Sequence, residues 1–148
     1  MAIEFENEVH KKVHENVSKW VREIFGETAS TYDDGGFGVS YGSAAVFMSV
    51  DPWDDDECTI RMWSPVISEV ELTPDLMKFL LKENTSIPFG VLAIDPDNNR
   101  IVLHESLVGS SCTKDELRLS LNIVGRIVDD YDDRIRSTWG GKRMADHD

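Results

Sequence analysis

The sequence predicts an α+β domain, an antiparallel sheet of about five strands with three helices packed on it, in the order α-β-β-β-α-β-β-α. Three observations predict it. A helical signal, the longest in the chain, runs from Thr113 to Arg136. Two apolar runs, Phe89 to Ile94 and Ile101 to Val108, flank a turn made of Asp and Asn and read as a hairpin. Three further strand-like runs are grouped between residues 39 and 64, ahead of the second helix.

From Phe5 to Phe25 the residues Val9, Val13, Val17, Trp20, Val21 and Ile24 return at helical spacing between charged residues, which is the pattern of an amphipathic surface helix ended by Gly26. His10 and His14 lie one turn apart on it. Their spacing reads HKKVH and lacks the glutamate of HExxH, so they are expected on a solvated flank and not as metal ligands. The stretch from Gly26 to Gly38 is a loop, and its glycines match neither GxxxxGK[ST] nor GxGxxG.

Val39 to Tyr41 forms a short strand and Ala44 to Val50 a second, with Ala44, Val46, Met48 and Val50 on one face. Residues 51 to 57, DPWDDDE, make an acidic turn without the DxDxDG pattern of a calcium loop. Cys58 to Ser64 alternates, placing Cys58, Ile60 and Met62 inward and Thr59, Arg61 and Trp63 outward, and Pro65 is expected to end or bend this strand. Thr73 and Pro74 start a short, mostly buried helix reaching about Glu83. In the hairpin turn Asp95, Asp97 and Asn99 imitate a calcium loop, but Arg100 and Ser106 occupy the positions where glycine and glutamate are needed. His104 is expected as a core-edge histidine.

The last helix starts at a capping box of Thr113 and Glu116. Leu117, Leu121, Val124, Val128, Tyr131 and Ile135 fall within roughly 80° of arc at ~100° per residue, one apolar stripe. Leu119, Ile123 and Ile127 form a second stripe nearly opposite. Either the helix is sandwiched between the sheet and another helix, or the second stripe meets a partner chain. Residues 1–148 are read as one domain, ordered over about 5–139, with 140–148 a flexible tail.

With 28 acidic and 15 basic residues the net charge is −13, and no clustered basic surface for nucleic acid is expected. No run of about 18 apolar residues suggests a membrane span, and the amino terminus lacks a signal-peptide pattern. Cys58 and Cys112, far apart and outside any CxxC, fit reduced thiols in a cytoplasmic protein. No catalytic signature, cofactor motif or metal-binding pattern is present. The weaker enzyme reading would assemble a metal site from Asp51, Asp54, Asp55, Asp56 and Glu57 or from the histidines.

The run IPFGVLAIDPDNNRIVLHESLVGSSCTKDEL, Ile87 to Leu117, resembles the YbjN-like family and its relatives, the type III secretion chaperones. Pro88, Phe89 and Gly90 open the hairpin, Leu103 and Leu107 lie in its second strand, Gly109 follows it, and Asp115, Glu116 and Leu117 lead into the last helix. The likeness covers about the last two fifths of the chain and is topological before that. It implies a cytoplasmic, acidic, non-enzymatic protein that binds an extended client polypeptide, acts as chaperone or regulator, and often works as a homodimer.

The strands themselves agree with that. Their second face carries Phe47, Trp63, Leu92, Ile94, Val102 and Val108, and burying such side chains contributes ~1.5–3 kcal/mol each, so something is expected to cover it. A helix of the same chain, a second copy and a client peptide are the three candidates. The expected partner-binding residues are therefore Phe47, Trp63, Leu92, Ile94 and Val102 on the sheet, with Leu119, Ile123 and Ile127 on the helix, and an acidic rim would favour segments bearing Lys or Arg. The alternative is an antitoxin- or immunity-like acidic protein capping one basic partner.

Overall fold

A computed structural model describes residues 3–146. Helix α1 spans Glu8–Phe25, strands β1 to β4 are Ser30–Thr31, Phe37–Tyr41, Ala44–Pro52 and Cys58–Ile67, helix α2 is Pro74–Glu83, strands β5 and β6 are Val91–Asp95 and Arg100–Val108, and helix α3 is Lys114–Trp139. The strands form one antiparallel sheet in the order β1-β2-β3-β4-β6-β5. It has six strands where about five are expected. The extra one, β1, has two residues that pair with Phe37 and Gly38, too short to show an alternation in the sequence.

The helix boundaries follow from caps. Thr113 accepts a hydrogen bond from the Glu116 N–H (3.1 Å), Thr73 from the Leu76 N–H (3.2 Å), and Pro74 occupies the first turn of α2. Helix α1 starts later than its apolar pattern suggests, because Asn7 supplies the cap by accepting from the His10 N–H at 2.8 Å.

One apolar cluster joins the three helices to a single face of the sheet. From α1 come Val13, Val17 and Val21, from α2 Leu76 and Leu80, and from α3 the stripe Leu117, Leu121, Val124, Val128, Tyr131 and Ile135. They meet Val46, Met48, Ile60, Met62 and Leu103, all at most 2% exposed. Helix α3 lies across β2, β3 and β4, and it packs tightly at Gly125, where a Cβ would stand 2.5 Å from the Tyr41 ring. The Tyr41 hydroxyl donates to Asn122 Oδ1 at 2.7 Å and fixes that contact.

Pro65 does not end β4. The strand runs on to Ile67 with a bulge between Pro65 and Ile67, and the Ser64 hydroxyl donates to the Ala45 carbonyl at 2.7 Å beside a residue that has no N–H to offer. At the sheet's far end the Asn84 side chain clamps β5: its amide donates to the Leu92 carbonyl (3.1 Å) and its oxygen accepts from the Leu92 N–H (2.7 Å). Past Trp139, where the sequence suggests a loose tail, Lys142 exchanges two backbone hydrogen bonds with Ser68 (2.8 and 2.7 Å), and Arg143 pairs with Asp133 and Asp146. The last two residues of the expected tail lie outside the described residues.

Asp132 is buried on α3, 7% exposed, and burial together with the neighbouring carboxylates of Asp133 and Asp129 lifts its pKa to about 6, against the opposing pull of Arg143 and the Asp133 N–H. A pKa raised in the folded state binds a proton more tightly than the unfolded chain does, so this group's contribution improves as pH falls from 7 through 6 towards 4. Asp132→Asn is therefore expected to stabilise the protein by about 1–3 kcal/mol at pH 7. In urea denaturation at pH 7 and pH 5 the difference from the parent should shrink at the lower pH. A constant difference would contradict this assignment.

Candidate functional site

Because the helices all pack on one side, the other face of the sheet has no helix over it. The register places Phe47, Trp63, His104 and Val91 side by side in one row of this open face. Phe47 and Trp63 stack with ring centroids 4.6 Å apart and planes at 25°, and both are only half-buried. Tyr32, from the loop after β1, approaches Phe47 at 6.5 Å, and the Arg100 guanidinium lies 5.2 Å over the Trp63 ring, held there by Asp95 at 2.8 Å. The result is a ladder of three rings and a guanidinium crossing β3, β4 and β6.

Two hollows flank the ladder and meet at Trp63 and Ser49, which line both. The larger, about 510 Å³, opens where β3 runs past the start of β2 and is closed by the amino-terminal segment and residues 32–36. His10 and His14 back it. His10 Nδ1 accepts from the Glu6 N–H (3.2 Å), which leaves Nε2 to donate to the Val50 carbonyl (2.9 Å), while His14 Nε2 meets the Gly35 carbonyl at 2.9 Å. The two rings are thus engaged with separate backbone carbonyls. The smaller hollow, about 360 Å³, lies between Trp63, Arg61 and the turn at 95–98.

The expected site residues divide. Phe47, Trp63 and Val102 share the open face, with Val102 only 1% exposed between the Trp63 row and Arg100. Leu92 and Ile94 do not belong there: they pair across β6 with Leu103 and Ile101 and point to the core face, Leu92 at 5% exposure and Ile94 at 37% where the sheet ends. Both faces of this hairpin are apolar, so alternation alone could not orient it. Helix α3 lies behind the sheet, so Leu119, Ile123 and Ile127 form no common site with Trp63. Ile127 packs against the core, Ile123 is half-buried, and Leu119 is 48% exposed.

The expectation that a helix of the same chain covers the second face is not met, because α1, α2 and α3 are all needed on the first. Tyr32 and Arg100 have no counterpart in the sequence reading. Tyr32 belongs to a loop without periodicity, and Arg100 was visible only as the residue that spoils a calcium loop. Arg61 lies outward with Trp63, as the alternation of β4 predicts.

The groups that could act chemically are otherwise engaged. Glu57 accepts from the N–H groups of Cys58 and Ser110 (2.9 Å each) and from the Ser110 hydroxyl, which closes the acidic turn against the loop before α3 and holds its carboxyl below the usual range. Among the described residues no three His, Cys, Asp or Glu side chains gather where a metal ion could be held. Burial and Glu116 push the Cys112 thiol up to about 11, and burial and Glu57 raise Cys58, so neither supplies a thiolate at neutral pH. His104 is shifted down by burial and by the charge of Arg61. Among the described residues no helix is long and apolar enough to cross a membrane.

Residues 11–147 match the family model described as T3SS (YopN, CesT) and YbjN peptide-binding chaperone 1. No curated protein matches the chain. Among solved structures the chain is similar to one from the HopA1–SchA chaperone–effector complex, with 9% identity, a TM-score of 0.64, and coverage of 84% of this chain and 94% of that one. It is similar to one from the ExsC–ExsE complex, with 12% identity, a TM-score of 0.65, and coverage of 84% and 93%. A third comes from the Yersinia pestis type III secretion chaperone SycH in complex with a stable fragment of YscM2, with 16% identity, a TM-score of 0.53, and coverage of 80% and 98%. At these identities the likeness shows the shared α+β fold.

Proposed function

Because the chain belongs to the T3SS (YopN, CesT) and YbjN peptide-binding chaperone family, we propose that it is a non-enzymatic, cytoplasmic module that holds an extended segment of a client polypeptide on the open face of its sheet. The observation that carries this reading is the Phe47–Trp63 stack, left half-exposed on the face opposite to the one on which α1, α2 and α3 pack. Stacked rings present a rigid apolar surface that loses little side-chain entropy on binding, the usual character of an anchor point. The rest of the face offers Ser49, His104 and Arg61, which can hydrogen-bond a backbone or polar side chain.

The protein acts as a homodimer in this reading. Met77 and Leu81 on α2, and Phe89 just ahead of β5, are 39%, 70% and 51% exposed. A two-fold pairing of that surface would remove three large apolar side chains per copy from water and leave the ladder free.

Affinity capture from the native cytoplasm tests the client site, with light scattering to fix the mass of each sample. Trp63→Asp is expected to lose its captured polypeptide, with affinity reduced about 30-fold or more. Leu119→Asp, on the opposite side of the molecule, should retain it. Equal capture by both variants would remove the open face from consideration, and a monomeric mass would remove the dimer.

A further inference from the structure

Resting on the reading of the open face as the client site, we infer that this face imposes a charge direction on its client: an apolar anchor lies against Phe47 and Trp63, a side-chain carboxylate on one side of it meets Arg61, and a basic side chain on the other side enters the larger hollow.

The two hollows differ in charge although they share Trp63 and Ser49. The larger one is lined by Glu4, Asp34 and Asp51 and by no Lys or Arg. Asp34 accepts from the Gly36 N–H (2.9 Å) and Asp51 from the Ser49 hydroxyl (2.7 Å), each through one oxygen, so the other oxygen of each carboxylate has no bonded partner among the described residues. Its histidines add no free donor, since each directs Nε2 to a backbone carbonyl. A Lys or Arg side chain suits this space.

The smaller hollow is lined by Arg61, Arg100 and His104, with Asp95 and Asp97 at the turn. Asp95 is occupied by Arg100 and Asn98 (2.8 and 2.9 Å). Arg61 is exposed and makes no hydrogen bond or ion pair among the described residues. It stands between Ser49 and Ser106 in the register, side chains too small to shield it. Asp95 lines the same hollow but is engaged by Arg100 and Asn98, and neither it nor Asp97 makes an ion pair with Arg61. Asp51 bonds Ser49 through one oxygen and makes no ion pair with Arg61. A guanidinium with all its donors unused, beside an aromatic platform, is a carboxylate receptor of ordinary geometry. The shared floor of Trp63 and Ser49 then orders the three subsites as basic, apolar, acidic along one segment.

The test is selection on the intact protein from a displayed library of random nine-residue segments, flanked by fixed linkers at both ends so that only side-chain carboxylates are available. Selection on the parent should enrich an aromatic or large aliphatic residue with Asp or Glu on one side and Lys or Arg on the other. Arg61→Glu, a surface change, should erase the acidic preference and keep the anchor, and a selected segment should lose about fivefold in affinity when its acid is changed to the amide or when Arg61 is. Enrichment without a charge order, an acidic preference that survives in Arg61→Glu, or no enrichment at all would overturn the inference. The underlying reading fails separately, if Trp63→Asp selects the same segments as the parent.

Discussion

Gly90→Ala is expected to lower the unfolding free energy by about 3 kcal/mol, measured by urea denaturation with an unchanged m-value. Two costs coincide at this residue. Its φ is +79°, which an alanine adopts at a penalty of roughly 1 kcal/mol. A Cβ there would also stand 2.7 Å from the His104 carbonyl oxygen, a backbone atom that can retreat only if β6 moves away from β5. Gly26 separates the two costs, since it has φ +61° and nothing within 4 Å of the same Cβ position. Gly26→Ala should therefore show the smaller loss alone. Equal losses at the two positions would mean that the close approach to His104 contributes nothing.

Leu92→Ala is expected to cost about 2–4 kcal/mol, because it removes a side chain packed in the core and leaves a cavity. It should leave client affinity nearly unchanged in the folded fraction, whereas Trp63→Ala should do the opposite. Isothermal denaturation and peptide binding on the same two variants check the pair. If Leu92→Ala weakened binding as much as Trp63→Ala while stability held, the assignment of Leu92 to the core face would be wrong.

That contrast shows where the sequence was legible. Helix limits at Thr73, Thr113 and Gly26 could be read because caps are local chemistry, and the six residues of the α3 stripe are buried as their spacing requires. Alternation oriented Cys58–Met62 and Ala44–Val50 correctly because their opposite positions carry Arg61, Ser49 and Thr59. It failed for Leu92 and Ile94, where Val91, Ala93 and Val102 make the reverse face apolar as well and only the turn fixes the register. The Phe47–Trp63 pair was recognisable as misplaced apolar surface. Its neighbours Tyr32 and Arg100 were not, since they arrive from a loop and a turn whose paths depend on the whole sheet.

The Asn84 clamp has a consequence for self-association. By bonding both the N–H and the C=O of Leu92, one carboxamide acts as a surrogate strand and occupies the outer edge of the last strand near its start. Head-to-tail filaments grow by joining one sheet edge to another and need both ends of the sheet reactive, so blunting a single end is enough to stop the chain reaction. At this end of the sheet the chain thus carries its own protection against growth by strand addition.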